Sequence, residues 1–187
     1  MKKKLLVLGA VLILIVSLTG CLGQSGGNSQ GNEQPSTGNE SPKEKSPDTE
    51  TVDFTVYFSD EDAMYLKGET RTVAKNGKYV AELMLAELLK GPESEELSPT
   101  IPEGTKLLSL EVADKIATVN FSREIQTNHP GGSAGETMTV YSIVNTLTQL
   151  EDIDAVQFLV EGEKEEAIWG HLYTLEPIEP NQELIQN

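Results

Sequence analysis

From Leu22 to about Thr51 the chain is built of Gly, Ser, Asn, Gln, Glu and Pro with almost no apolar side chain, and this run decides where folding can occur. A segment with so little apolar surface cannot offset the entropy lost on ordering it. Residues 21–51 therefore read as a tether. Flexible-chain statistics over about 30 residues give a root-mean-square reach of roughly 30 Å, extended where Pro35, Pro42 and Pro47 stiffen it. Regular apolar patterning is confined to residues 52–180, with 181–187 left as a short C-terminal tail. That length suits one domain with its own core and is too short for two.

Ahead of the tether, Lys2, Lys3 and Lys4 precede an unbroken apolar run from Leu5 to Val16. As a helix this run rises only about 18 Å, against a hydrocarbon core of roughly 30 Å. It reads as a secretory signal over residues 1–20, not as a permanent span. Leu18-Thr19-Gly20-Cys21 resembles the bacterial lipobox, which implies cleavage between Gly20 and Cys21 and a lipid on Cys21. Cys21 is the only cysteine, so lipidation also accounts for a lone thiol in an exported chain that can form no internal disulfide. Each buried acyl CH₂ contributes about 0.8 kcal/mol, so two or more chains on one Cys hold a protein stably. The expected place is the extracytoplasmic face of the bacterial cell membrane. The formal charge is −16, and residues 1–20 hold three lysines and no acid, so the processed chain carries −19. Such a balance disfavours nucleic acid and anionic headgroups, leaving the lipid to hold the chain to its membrane partner.

Within the domain, Phe54–Phe58 reads as a strand closed by the turn Ser59-Asp60-Glu61-Asp62, and a second extended piece is expected near Tyr65–Val73. After the turn Asn76-Gly77, the spacing of Tyr79, Val80, Leu83, Met84, Leu85, Leu88 and Leu89 predicts a helix that Gly91-Pro92 stops. Leu108, Leu110 and Val112, then Ala117, Val119 and Phe121, alternate on either side of Ala113-Asp114-Lys115 and predict a hairpin. A second helical pattern runs through Met138, Tyr141, Ile143, Val144, Leu147 and Leu150. Ser133 and Glu136 stand at capping-box spacing ahead of it. Val156, Phe158 and Val160 add a last strand. The order β(β)αββαβ predicts an α+β fold, with two main helices on one face of a mixed or mainly antiparallel sheet.

These residues resemble the GerMN domain of the bacterial sporulation and spore germination protein GerM family. The resemblance is carried by Val56-Tyr57-Phe58-Ser59-Asp60, Leu88-Leu89-Lys90-Gly91-Pro92, Ile101–Leu108, Val119-Asn120-Phe121-Ser122, Thr146–Leu150, Val156–Gly162 and Gly170-His171, in that order. It departs at Asn120, where the family has an acidic residue. The resemblance implies a fold similar to ring-building modules. It further implies a protein-interaction or assembly role with other envelope or sporulation proteins, homo-oligomers among them, rather than catalysis.

The motif residues have structural readings of their own. Gly91-Pro92 supplies a helix stop. Pro102 and Gly104 form a tight turn before a strand. Gly162 sits in a turn, and Gly170-His171 anchors the last segment through a hydrogen bond. The glycine-rich His129–Glu136 stretch could offer N–H groups to an anion, but it lacks a Lys-Ser or Lys-Thr pair and is not read as following a strand in a βαβ unit. His129 is expected exposed beside Pro130. With two histidines and one cysteine, no zinc spacing is present. Asp60/Asp62, Glu95/Glu96 and Glu165/Glu166 read as solvated acids, not as general acid/base or calcium pairs, and Ser59, Ser122 and Ser133 lack a nucleophile-elbow setting. No cofactor, metal or catalytic residue is expected. The other reading is an envelope ligand sensor for a small molecule or cell-wall fragment, which predicts an apolar pocket near Trp169 and Tyr173.

Overall fold

The computed structural model describes residues 50–186, so Gly20, Cys21, the signal segment and the tether up to Thr49 lie outside the described residues, while Thr51, read as the end of the tether, opens the first strand. Strand β1, Thr51–Asp60, is the spine of the first sheet. It pairs antiparallel with β2, Leu66–Ala74, in register from Thr51↔Ala74 to Ser59↔Leu66, and on its other side with the two-residue β3, Leu97–Ser98. The turn between β1 and β2 is tied by Asp60, whose Oδ1 accepts from the N–H groups of Met64 and Tyr65 at 2.8 and 3.1 Å. Val56 and Phe58 face inward with no exposure.

Helix α1, Val80–Lys90, follows the turn at Asn76-Gly77, both at positive φ, and ends where Gly91 takes φ 86°. Its buried face of Ala81, Met84, Leu85 and Leu88 lies on β1. Strands β4, Leu107–Ala113, and β5, Ile116–Phe121, form the expected hairpin. Its two-residue loop, Asp114 and Lys115, has both residues at positive φ, the geometry that matches the right-handed strand twist. The alternation differs from expectation at one end of β4. A bulge between Leu107 and Ser109 puts Leu107 opposite buried Phe121 and turns Leu108 outward, 47% exposed. One extra residue reverses which face every later side chain takes.

Past β5 a short helix α2, Glu124–Thr127, leads to α3, Ser133–Leu147, and then to β6, Ala155–Val160. Strand β6 lies parallel to β5 from Ile116↔Ala155 to Phe121↔Val160. The α2–α3 connection is therefore the crossover that a parallel pair requires, and the glycine-rich stretch does follow a strand in a βαβ unit, contrary to the sequence reading. The fold is α+β, with the strands divided between two three-stranded sheets, β2-β1-β3 and β4-β5-β6. Helix α3 touches both, packing on β1 and β6, and meets α1. It is buried on nearly every side after Gly135, so its polar residues are spent on specific bonds. Thr146 accepts from the Tyr57 N–H at 3.2 Å, and Asn145 exchanges two bonds with the Asn181 backbone at 2.8 and 2.9 Å. Those last bonds, with Gln186 N–H donating to Leu66 O at 2.9 Å, tie residues 181–186 into the domain instead of leaving a tail.

Candidate functional site

Three connections meet at the end of β1 distal to Thr51 and enclose a cleft of about 370 Å³. The β1–β2 turn contributes Asp60 and Glu61. The segment after β3 contributes Pro99, Thr100, Ile101, Pro102 and Glu103. The α2–α3 link and the start of α3 contribute Asn128, His129, Met138 and Thr139. Each wall is held by a stated bond. Pro102 to Thr105 closes with Thr105 N–H on Pro102 O at 3.3 Å, and Gly104 takes the φ of 87° that such a turn demands. Asn128 Nδ2 donates to Glu103 O at 2.8 Å, and the Thr139 hydroxyl donates to Thr100 O at 2.6 Å.

His129 is not exposed beside Pro130 as the sequence suggested. Its ring packs 5.4 Å from Trp169, its Nδ1 accepts from the Gly131 N–H at 3.0 Å, and its Nε2 lies 3.0 Å from Thr139 Oγ1. These partners assign the proton to Nε2, because Nδ1 is already an acceptor and the Thr139 hydrogen goes to Thr100. Protonating Nδ1 would set two N–H donors face to face. Burial holds the imidazole below its usual range, against the opposing pull of the Glu136 carboxylate.

Glu136 itself departs from the capping-box expectation. The cap is Gly132, no side-chain cap bond forms, and Ser133 is already helical. The Glu136 carboxylate is fully buried and accepts from the His171 N–H at 3.1 Å, the Leu172 N–H at 2.6 Å and His171 Nδ1 at 2.8 Å. Three donors from one loop outcompete a single reach back to a cap N–H. His171 thus makes the anchoring bond that the sequence proposed, and its partner is Glu136 on α3.

Other motif residues hold turns. Glu161 and Gly162, at φ 52° and 88°, make a two-residue turn closed by paired bonds between Val160 and Glu163. The Gly162 N–H donates to Asn120 Oδ1 at 2.8 Å, so the side chain that departs from the family pattern still supplies an acceptor. Gly91 and Gly170 also sit at positive φ. Trp169 packs into the fold: its indole N–H donates to Ile125 O at 2.8 Å and its ring meets Phe158 edge-on. Tyr173, 54% exposed, borders a shallow depression with Glu165, Glu166 and His171. Among the described residues no three His, Cys, Asp or Glu side chains gather as a metal site.

A family model described as Germane, sporulation and spore germination, matches residues 55–166, more than half of the chain and every wall of the cleft. The chain belongs to the Germane family. The tandem GerMN domains of the Bacillus subtilis sporulation protein GerM are 26% identical, with TM-score 0.59 over 73% of this chain and 48% of theirs. This Germane chain thus spans about half of that tandem. The first GerMN domain of the same protein, 23% identical, shares the fold with TM-score 0.56 over 71% of this chain and 98% of its own. A candidate lipoprotein of Clostridium perfringens is 27% identical, with TM-score 0.51 over 69% and 87%. No curated protein matches.

Arg71 on β2, with its side chain 7% exposed, lies 2.6 Å from Glu69, 3.8 Å from Glu87 of α1 and 5.7 Å above the Phe58 ring. It also donates to Gly91 O at 3.3 Å, while Glu69 accepts from the Glu93 and Ser94 N–H groups. This network pins the Gly91–Ser98 connection that leads into the cleft. Glu69 shares β2 with Arg71, but Glu87, Gly91, Glu93 and Ser94 stand elsewhere in the chain, so strand spacing alone carries no signal of the network.

Proposed function

We propose that this chain is a lipid-anchored lipoprotein on the extracytoplasmic face of the cell membrane, and that its Germane domain acts as a non-catalytic docking module for envelope proteins in sporulation or germination. The family match over residues 55–166 carries the developmental reading. Leu18-Thr19-Gly20-Cys21 after a twelve-residue apolar run supports the anchor, as does likeness to a candidate lipoprotein. The docking role is supported by the outer edge of β4, which pairs with no strand among the described residues and carries outward Leu108. Open strand edges offer N–H and C=O groups to a partner. Lipid confinement raises the effective concentration of membrane partners without any new contact. Cys21→Ala protein should melt at the same temperature as the parent yet shift from the membrane fraction to the soluble fraction of lysed cells. Retention of the variant in the membrane pellet at the parent level would remove the lipid anchor from this account.

A further inference from the structure

The cleft at the distal end of β1 has a one-sided electrostatic character. Asp60, Glu61 and Glu103 stand on its walls, and neither Lys nor Arg is among its lining residues. Asp60 and Glu61 continue into a neighbouring depression with Asp62 and Glu96, where Lys67 is the single cation. Part of this acid is already committed, since Asp60 Oδ1 holds the β1–β2 turn. Glu61 and Glu103 are exposed. The floor is different in kind: Ile101 and Met138 are buried, and Pro99 and Pro102 flank them. On the same wall Thr100 is 6% exposed, and its side-chain hydroxyl has no hydrogen-bond partner. Its backbone oxygen is taken by Thr139, and His129 is held neutral with its one N–H spent on that same threonine. A buried hydroxyl without a partner is rare, so this wall of the cleft holds a hydrogen-bonding group that the fold itself does not satisfy.

We propose that this cleft receives a basic segment of a partner protein, with a Lys or Arg side chain laid along the Pro99–Pro102 floor and its charged head between Glu61 and Glu103. The aliphatic stem of such a side chain suits an apolar floor while its head stays near water and carboxylates. The chain's own tether is a poor occupant. Its basic residues, Lys43 and Lys45, precede Thr51 by eight and six positions. They would have to run fully stretched back along β1, about 30 Å, to reach the cleft. This inference deepens the docking role proposed above and rests on it.

The test uses the full chain in detergent and a fluorescein-labelled nine-residue peptide of alternating Lys and Ala, read by anisotropy. Glu61→Gln/Glu103→Gln removes two exposed acids from the cleft. Glu111→Gln/Glu176→Gln removes two exposed acids that do not line it, so both variants carry the same net charge. Binding should fall at least tenfold with the first pair and less than twofold with the second. Equal loss from both pairs would reduce the attraction to net charge alone and overturn the proposal, as would no binding to the parent chain. Competition by free 1,5-diaminopentane at the peptide's own concentration would make the cleft a small-amine site and overturn the protein partner. Loss confined to the cleft pair, together with normal spores in a strain lacking the gene, would sustain the cleft while sinking the developmental role.

Discussion

Replacing Glu136 by Ala should destabilise the domain by about 2–4 kcal/mol, because two partly buried N–H groups would lose their acceptor at once and an orphaned donor costs up to about 1–3 kcal/mol. The carboxylate is fully buried and is held by the His171 and Leu172 N–H groups and by the His171 ring. Relief of its own desolvation offsets part of the loss, which is why the sum stays below the simple total. For a domain of this size that corresponds to a fall in Tm of roughly 6–15 °C. Glu136→Gln retains one acceptor oxygen and should fall between the parent and Glu136→Ala. The opening should also be local, since residues 161–180 form little regular structure and depend on this clasp. Limited proteolysis should cut that loop faster in Glu136→Ala while β1–α1 stays intact. A loss under about 0.5 kcal/mol by chemical denaturation would show that the loop is held by its apolar contacts alone, chiefly Ile168 and Trp169.

Arg71→Ala should cost about 3–5 kcal/mol, the range seen when one partner of a buried ion pair is removed and the other is left. Arg71 and Glu87 have side chains only 7% and 9% exposed, and Arg71 also covers Phe58. Glu87 keeps Lys90 as a partner in Arg71→Ala, so most of the loss falls on Glu69, the acid closest to Arg71. A pH signature accompanies this. Burial alone would raise the Glu69 carboxyl, but the Glu93 and Ser94 N–H donors and Arg71 outweigh it and hold its pKa below the usual value. A depressed folded-state pKa contributes stability that is complete above the unfolded pKa and is lost as pH falls through the folded one. The parent should therefore lose stability on acidification below about pH 4.3, the ordinary Glu value, and Arg71→Ala should lose less over the same interval. Parallel acid-unfolding curves for the two proteins would mean that Arg71 does not set the Glu69 equilibrium.

Much of the architecture is legible in the order of residues because it depends on local rules. The β1 alternation at Val56 and Phe58, the helix stop at Gly91-Pro92 and the turn at Pro102-Gly104 each follow from the conformations that a few adjacent residues allow. What escapes is whatever depends on partners distant in the chain. Six residues of β6 read equally well beside a parallel or an antiparallel neighbour, so the pairing of Ala155–Val160 with β5 was not foreseeable. The bulge at Leu108 is invisible because Leu107 and Leu108 are chemically the same and either could face inward. Ser133 and Glu136 carry a local capping signal that tertiary donors override. His129 looked exposed beside Pro130 because Trp169, forty positions on, is what covers it. The cleft was not legible at all, since its walls are brought together from three separate connections.

A count of spores tests most directly whether the membrane-tethered domain serves spore development through docking. In the source organism, a strain lacking this gene should yield at least tenfold fewer heat-resistant spores, or spores that germinate at least tenfold less often. The parent gene should restore the count, and Cys21→Ala protein at equal abundance should not. Spore number, heat resistance and germination all within twofold of the parent strain would contradict it.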